Sequence, residues 1–117
     1  MVELVVVNRF RVDENDADAF RRDVHAALGA LAQRPGHVDG RVGRNLDDPD
    51  LWVLTTTWAN VGSYRRALSA YDVKVTAVPL LSRAVDEPSA YETVGDDGDD
   101  GDDKGSGMNV QVPRELR

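Results

Sequence analysis

The chain has 117 residues, a net charge of −7 and no cysteine. This length suits one domain, and the lack of cysteine excludes disulfides, thiolate metal sites and a cysteine nucleophile. Up to position 94 there are 14 acidic and 11 basic residues, a net charge of −3, which is not the clustered positive charge that nucleic acid requires. A cysteine-free chain fits a reducing compartment, so we expect a cytoplasmic protein.

The amino-terminal segment alternates as a β-strand over residues 2–12. One face carries Val2, Leu4, Val6, Asn8, Phe10 and Val12, and the other carries Glu3, Val5, Val7, Arg9 and Arg11. Both faces are apolar in their first half, so we expect both to be covered. The apolar run is interrupted by Glu3, is too short for a membrane span and lacks the basic start of a signal peptide.

A first helix follows, capped by Asn15 or Asp16 and ended by Arg34-Pro35-Gly36, because proline cannot continue a helix and glycine permits the turn. Its apolar residues recur at helical spacing at Ala17, Phe20, Val24, Ala27, Leu28 and Leu31. Residues 37–45 and 51–58 then predict two strands that pair as a hairpin. Glycines at 40 and 43 in the first of these strands indicate a bulge or close packing.

The next segment is predicted to be helical and the following one extended. Asn60 or Ser63 opens a second helix, whose apolar stripe is Val61, Tyr64, Leu68 and Tyr71. A shorter helical stretch is expected over residues 73–82 with a break at Pro79, and a last strand over residues 84–94 with Pro88 at an edge or bulge. The order β-α-β-β-α-β predicts an α+β, ferredoxin-like fold, with one antiparallel sheet and the helices on one face.

The second face of this sheet needs a cover. It is predicted to carry Val5, Val7, Val53 and Thr55, and a second copy of the chain is the expected cover, so we expect a homodimer paired sheet to sheet. The domain is expected to span residues 1–94. Residues 95–117 form an acidic tail in which Gly-Asp-Asp repeats three times; this composition cannot build a core, so we expect the tail to be disordered.

Four segments, in their order and spacing, resemble the antibiotic biosynthesis monooxygenase family of dimeric α/β barrels. They are Val7-Asn8-Arg9-Phe10, Arg34-Pro35-Gly36, Thr56-Thr57-Trp58 and Ser63-Tyr64-Arg65-Arg66. The family's usual form is a Pro-Gly after the first helix, a Trp at the end of the third strand and an aromatic residue in the second helix. Some members oxygenate polyketide-like aromatics without metal or flavin, whereas others degrade heme, so the resemblance leaves the chemistry open.

The heme-degrading branch of the family is disfavoured residue by residue. Its pattern has an Asn in the first strand, a Trp in the second helix and a His ligand shortly after. Asn8 matches, but residues 65–69 contain no Trp and residues 72–82 contain no His. Since His25 and His37 lie elsewhere, the axial ligand that heme iron requires is missing from the expected place.

Asn8, Trp58 and Tyr64 are the candidate catalytic residues. Asn8 lies among apolar residues on the helix-facing side, where it either contacts a substrate carbonyl or enolate or is satisfied by the backbone. Trp58 shares a face with Trp52 and either forms a wall for an aromatic ligand or is plain core, the second being favoured. Tyr64 and Tyr71 can offer hydroxyl groups to a pocket, or they pack as amphipathic core residues.

The sequence predicts no metal site and no bound cofactor. It has no His-x-x-x-His, paired-carboxylate or glycine-rich phosphate motif, and we expect His25 to be solvated and His37 to lie at the surface. The leading hypothesis is a cofactor-independent monooxygenase-like protein acting on a small aromatic or polyketide-like substrate. The alternative is a non-catalytic, dimeric ligand-binding or accessory domain, which the lack of a general base on the pocket face supports.

Overall fold

The computed structural model describes residues 2–96. The spacing of apolar residues in the sequence determines which faces of the strands and helices pack together. In chain order the elements are β1 (Leu4–Arg11), a 3-10 helix (Glu14–Asp16), α1 (Ala17–Ala32), β2 (His37–Arg44), β3 (Leu51–Trp58), α2 (Val61–Ser69), α3 (Tyr71–Thr76), α4 (Val78–Leu81) and β4 (Ala90–Glu92).

The four strands form one antiparallel sheet in the order β2-β3-β1-β4. Between β1 and β3, Leu4 lies opposite Trp58 and Asn8 lies opposite Leu54. Because β3 is inserted between β1 and β2, the two strands that α1 connects are not neighbours. This split β-α-β arrangement confirms the predicted α+β ferredoxin-like fold.

The core lies between one face of the sheet and the helices. On β3 the alternate residues Trp52, Leu54, Thr56 and Trp58 are buried, as the strand period predicts. Helix α1 contributes Phe20, Val24, Ala27 and Leu31. The intervening residues of β1 and β3 point to the other face of the sheet and are half-buried. They include Val5, Val7, Val53 and Thr55. The sheet therefore has one face covered by helices and one face open.

Of the two glycines of β2, Gly40 has the close packing that was predicted, whereas a Cβ atom at Gly43 would be in ordinary contact with Val53. The register between β2 and β3 shifts between His37 and Asp39, which marks a bulge. A Cβ atom added at Gly40 would lie 2.4 Å from Cδ1 of Leu28, so the missing side chain lets α1 approach β2 closely.

Two helix termini differ from the sequence-based expectation. Asp16 is the residue before α1, but its side chain makes no capping hydrogen bond; Asp13 instead caps the preceding 3-10 turn by accepting from the Asn15 backbone N–H at 2.9 Å. Helix α2 ends at Ser69 because Ala70 has extended backbone angles. Tyr71 therefore begins α3 and is 81% exposed instead of extending the α2 stripe.

The last strand is much shorter than the predicted residues 84–94. Only Ala90–Glu92 pair with β1 as a strand. Pro88 has no N–H to donate to a ladder, and the segment before it is held to β1 by the backbone bond from Val85 N–H to the Arg9 carbonyl at 2.7 Å and by a side-chain contact. The guanidinium of Arg9 donates to both carboxylate oxygens of Glu87 at 2.7 Å, and these hydrogen bonds raise the pKa of Arg9 and lower the pKa of Glu87.

Met1 and residues 97–117 lie outside the described residues, and so does the predicted acidic tail except for Gly95 and Asp96. Among residues 2–96, no helix is both long enough and apolar enough to cross a bilayer.

Truncation after Gly95 is expected to leave the melting temperature nearly unchanged. The removed segment is rich in Gly and Asp and has little apolar surface to bury, and the backbone bond from Thr93 N–H to the Glu3 carbonyl is retained. Thermal unfolding of both chains at equal concentration is the measurement. A fall of about 10 °C, roughly 2 kcal/mol for a domain of this size, would show that the tail contributes to folding.

Candidate functional site

An open cavity of about 430 Å³ lies between α2, α4 and the helix-facing side of β1. It is lined by Asn8, Tyr64, Leu68, Val78, Leu81 and Ser82. The hydroxyl of Ser82 already donates to the Pro79 carbonyl at 2.7 Å. Asn8 and Tyr64 are therefore the polar side chains left to orient a ligand in a largely aliphatic cavity, which is the composition typical of a small-molecule site.

Asn8 lies in the cavity because of its place in β1. As an alternate residue of the strand, Asn8 shares the helix-facing side with Val6 and Phe10. These two neighbours are fully buried, whereas Asn8 is only half-buried. Within residues 2–96 its carboxamide makes no side-chain hydrogen bond. A carboxamide has both donors and an acceptor, so this group can bind a carbonyl or an enolate oxygen.

Tyr64 reaches the same cavity from the first turn of α2. That turn is fixed by Asn60, whose side-chain oxygen accepts from the Ser63 backbone N–H at 2.9 Å; Asn60 is thus the cap, and Ser63 is not. Burial raises the pKa of Tyr64 above its ordinary value. The phenol is therefore neutral at neutral pH, and its O–H acts as a hydrogen-bond donor and not as a base.

Trp58 does not line this cavity. It is 0% exposed, and its Nε1–H donates to Thr56 Oγ1 at 2.9 Å. The indole lies beside Tyr64, with ring centroids 5.6 Å apart. The structure thus brings Asn8 and Tyr64 together in the cavity, whereas Trp58 is buried and contacts only Tyr64 of these two.

His37 is less exposed than the sequence suggested, because its ring packs edge-on against Trp58 with centroids 5.1 Å apart. Burial lowers the pKa of His37, opposed by the nearby Asp39. His25 is exposed on α1, as predicted. Among residues 2–96, no group of three or more His, Asp or Glu side chains is placed to hold a metal ion.

Sequence reasoning missed four of the lining residues, namely Leu68, Val78, Leu81 and Ser82. Leu68 was assigned to the α2 stripe but without a role in a pocket. The other three flank or follow Pro79, which is the second residue of the short helix α4. The break that was expected at Pro79 lies before it, at Ala77 between α3 and α4, and Pro79 is inside α4. The apolar residues around the proline were the available signal, but they do not reveal which surface α4 faces.

Comparisons with known proteins agree with this fold. The sequence model of the family described as antibiotic biosynthesis monooxygenase matches residues 3–77. SnoaB from Streptomyces nogalater, a cofactor-independent oxygenase, is 25% identical with a TM-score of 0.66, over 78% of this chain and 92% of SnoaB. A conserved protein from Methanosarcina mazei Go1 is 21% identical with a TM-score of 0.65, over 78% of this chain and 92% of its own.

A protein from Chloroflexus aurantiacus J-10-fl shares the fold over more of the chain. It is 20% identical with a TM-score of 0.61, and the match covers 92% of this chain and 99% of that protein. A comparison with curated proteins gives no significant match.

Proposed function

The chain belongs to the antibiotic biosynthesis monooxygenase family, and on this basis we propose that it is a cofactor-independent monooxygenase acting on a small aromatic or polyketide-like ketone. The observation that carries the proposal is the pair of available polar groups, Asn8 and Tyr64, in a cavity whose other lining residues are aliphatic except for Ser82, whose hydroxyl is already hydrogen-bonded. The likeness to SnoaB, a cofactor-independent oxygenase, supports the same reaction class.

In this mechanism the substrate supplies the reducing electrons. An aromatic ketone with an acidic C–H loses that proton to water, from which the peroxide anion later takes a proton back, and it becomes a resonance-stabilised carbanion whose negative charge lies largely on the ketone oxygen. The Asn8 amide and the Tyr64 hydroxyl donate hydrogen bonds to this oxygen, and the aliphatic lining contacts the rings of the substrate. The carbanion reduces O₂ and forms a C–O bond, and loss of water from the resulting hydroperoxide gives a new carbonyl.

Anthrone is a suitable test substrate because its methylene group lies between two aryl rings and opposite a ketone. Anthrone and O₂ give anthraquinone and water. We expect saturable oxygen uptake and anthraquinone absorbance above the buffer rate, with no added metal or flavin and with no loss in the presence of EDTA. Heat-denatured protein is the control. A rate equal to that of buffer over a range of tricyclic ketones would contradict the proposed reaction.

A second candidate function is binding without catalysis, because no carboxylate, imidazole or amine lines the cavity among the described residues. An enzyme without such a base depends on substrates that ionise readily. Binding of anthrone without accelerated oxidation would favour the ligand-binding role, whereas acceleration would favour the monooxygenase.

Heme chemistry is not part of the proposal. His25 is exposed on α1, and the ring of His37 is directed onto Trp58, so neither histidine lies at the cavity. Hemin titration is expected to give no stoichiometric Soret shift that depends on either histidine. A tight shift abolished by His25→Ala or His37→Ala would instead assign the protein to heme binding.

We also propose that the protein is a homodimer paired through the open sheet face. This face carries Val5, Val7, Val53 and Thr55 in half-buried positions, and a second copy would remove them from water. Sedimentation at micromolar concentration is expected to show a dimer, and Val7→Lys a monomer. Ala19→Lys, on the exposed side of α1, is the matched control and should stay dimeric. A wild-type monomer would contradict the proposal.

A further inference from the structure

Thr56 is a buried polar residue on the core face of β3, and it is 3% exposed. Its Oγ1 accepts the hydrogen bond from Trp58 Nε1 at 2.9 Å, two residues along the same strand face. A buried indole N–H needs such a partner, because leaving it unpaired costs the full desolvation of the donor. The side chain of Thr56 therefore fixes the plane of the Trp58 ring.

The Trp58 ring in turn packs against the ring of Tyr64. The Trp58 and Tyr64 rings are 5.6 Å apart with an interplanar angle of 52°, and the His37 ring meets the indole at 89°. Nε2 of His37 is buried without a hydrogen-bond partner among residues 2–96, so His37 contacts the indole through its ring and makes no hydrogen bond to it. The bond to Thr56 is the hydrogen bond that the indole N–H makes within residues 2–96.

We propose that Thr56 is a positioning residue of the cavity, which acts through Trp58 to fix where the Tyr64 hydroxyl lies. Its effect on ligand binding rests on the proposed function. The side chain of Thr56 itself does not line the cavity, so it acts on a ligand only through the two aromatic rings. Without the Thr56 acceptor, the indole of Trp58 would tilt to bring its N–H to another acceptor, and the ring of Tyr64 would move with it.

An experiment without ligand tests directly whether Thr56 acts on Tyr64 through Trp58. In a Tyr71→Phe/Tyr91→Phe background Tyr64 is the remaining tyrosine, and its ionisation can be followed by absorbance. Thr56→Val keeps the shape but removes the acceptor, and it should lower the raised pKa of Tyr64 toward the ordinary value, because a displaced ring is less buried. Thr56→Ser keeps the acceptor and should retain the raised pKa.

Thr57→Val is the matched control, since Thr57 is the next residue on β3 and lies on the open face of the sheet opposite Val5. It should leave the Tyr64 titration unchanged. If Thr56→Val does not fold, Thr56→Ala removes the same acceptor without adding volume and takes its place. An unchanged Tyr64 pKa in the folded variant that lacks the acceptor would overturn the proposal.

A binding experiment separates positioning from general damage. Anthrone carries an oxygen that Tyr64 can hydrogen-bond, whereas anthracene has the same three rings and no oxygen. Thr56→Val should weaken anthrone binding about tenfold, the loss of one hydrogen bond, and leave anthracene binding unchanged. Equal weakening of both ligands would mark Thr56 as merely structural. If the wild-type protein binds neither, the proposed function fails, while the Tyr64 titration still decides the role of Thr56.

Discussion

Gly36→Ala is expected to lower the free energy of unfolding by about 3 kcal/mol, the sum of backbone strain and overpacking. Gly36 has φ = +90°, a region that side chains of L-residues rarely adopt. A Cβ atom there would lie 2.3 Å from both Cβ and Oγ of Ser63. Ser63 is 5% exposed in the first turn of α2, so it has little room to move.

Urea denaturation of the variant and two controls separates these two causes. Gly29→Ala, in α1, has no atom within 4 Å of the added Cβ and should gain about 0.5–1 kcal/mol from helix propensity. In a Ser63→Gly background the clashing atoms are gone, so Gly36→Ala should then cost only the strain, about 1 kcal/mol. If Gly36→Ala stabilises the protein as Gly29→Ala does, the left-handed conformation of Gly36 is wrong.

The close approach of Gly36 to Ser63 connects the turn before β2 to the candidate site. The Gly36 carbonyl accepts from the Ala59 backbone N–H at 2.8 Å, so the turn also holds the chain between β3 and α2. Tyr64 directly follows Ser63, and its direction into the cavity depends on how closely α2 approaches that turn. Strain at Gly36 should therefore disturb the site as well as the stability.

The parts of the fold that follow from chain periodicity could be predicted from the sequence. The span of β3, the burial of its alternate residues and the helix-facing side of Asn8 all follow from the two-residue period of a strand. Periodicity gives the face on which a residue lies but not the depth to which other elements cover it. Asn8 and Trp58 lie on the same face of the sheet, but Asn8 lines a cavity whereas Trp58 is fully buried.

The errors arose where local signals compete with tertiary contacts. The spacing of Tyr71 extends the α2 stripe, but the extended backbone of Ala70 breaks the helix before it. Residues 84–89 have the composition of a strand, yet only isolated backbone bonds at Val85 and Ser89 join them to β1, because Pro88 lacks an N–H to donate. The cavity depends on how α4 packs after Pro79, which no short pattern in the sequence specifies.

Asn8→Ala is expected to lower the rate of anthrone oxidation by about 10²–10³, the usual cost of removing one donor to a developing oxyanion. The free energy of unfolding should change little, because within residues 2–96 the Asn8 side chain makes no hydrogen bond that the substitution would break. Oxygen uptake at saturating anthrone measures the first quantity, and urea denaturation measures the second. A large loss of rate with unchanged stability would identify Asn8 as a group that acts on the ligand.

Two further variants distinguish a donor from a space-filling side chain. Asn8→Asp has nearly the same shape but, when ionised, has no donor and brings negative charge toward an oxygen that becomes negative, so its rate should be at least as low as that of Asn8→Ala. Asn15→Ala changes an exposed asparagine outside the cavity and should keep the wild-type rate. Full activity in Asn8→Ala would make Asn8 a half-buried amide without a catalytic role. Activity retained in Asn8→Asp but lost in Asn8→Ala would mean that the side chain only fills the base of the cavity, and the oxyanion would then need Tyr64 as its donor.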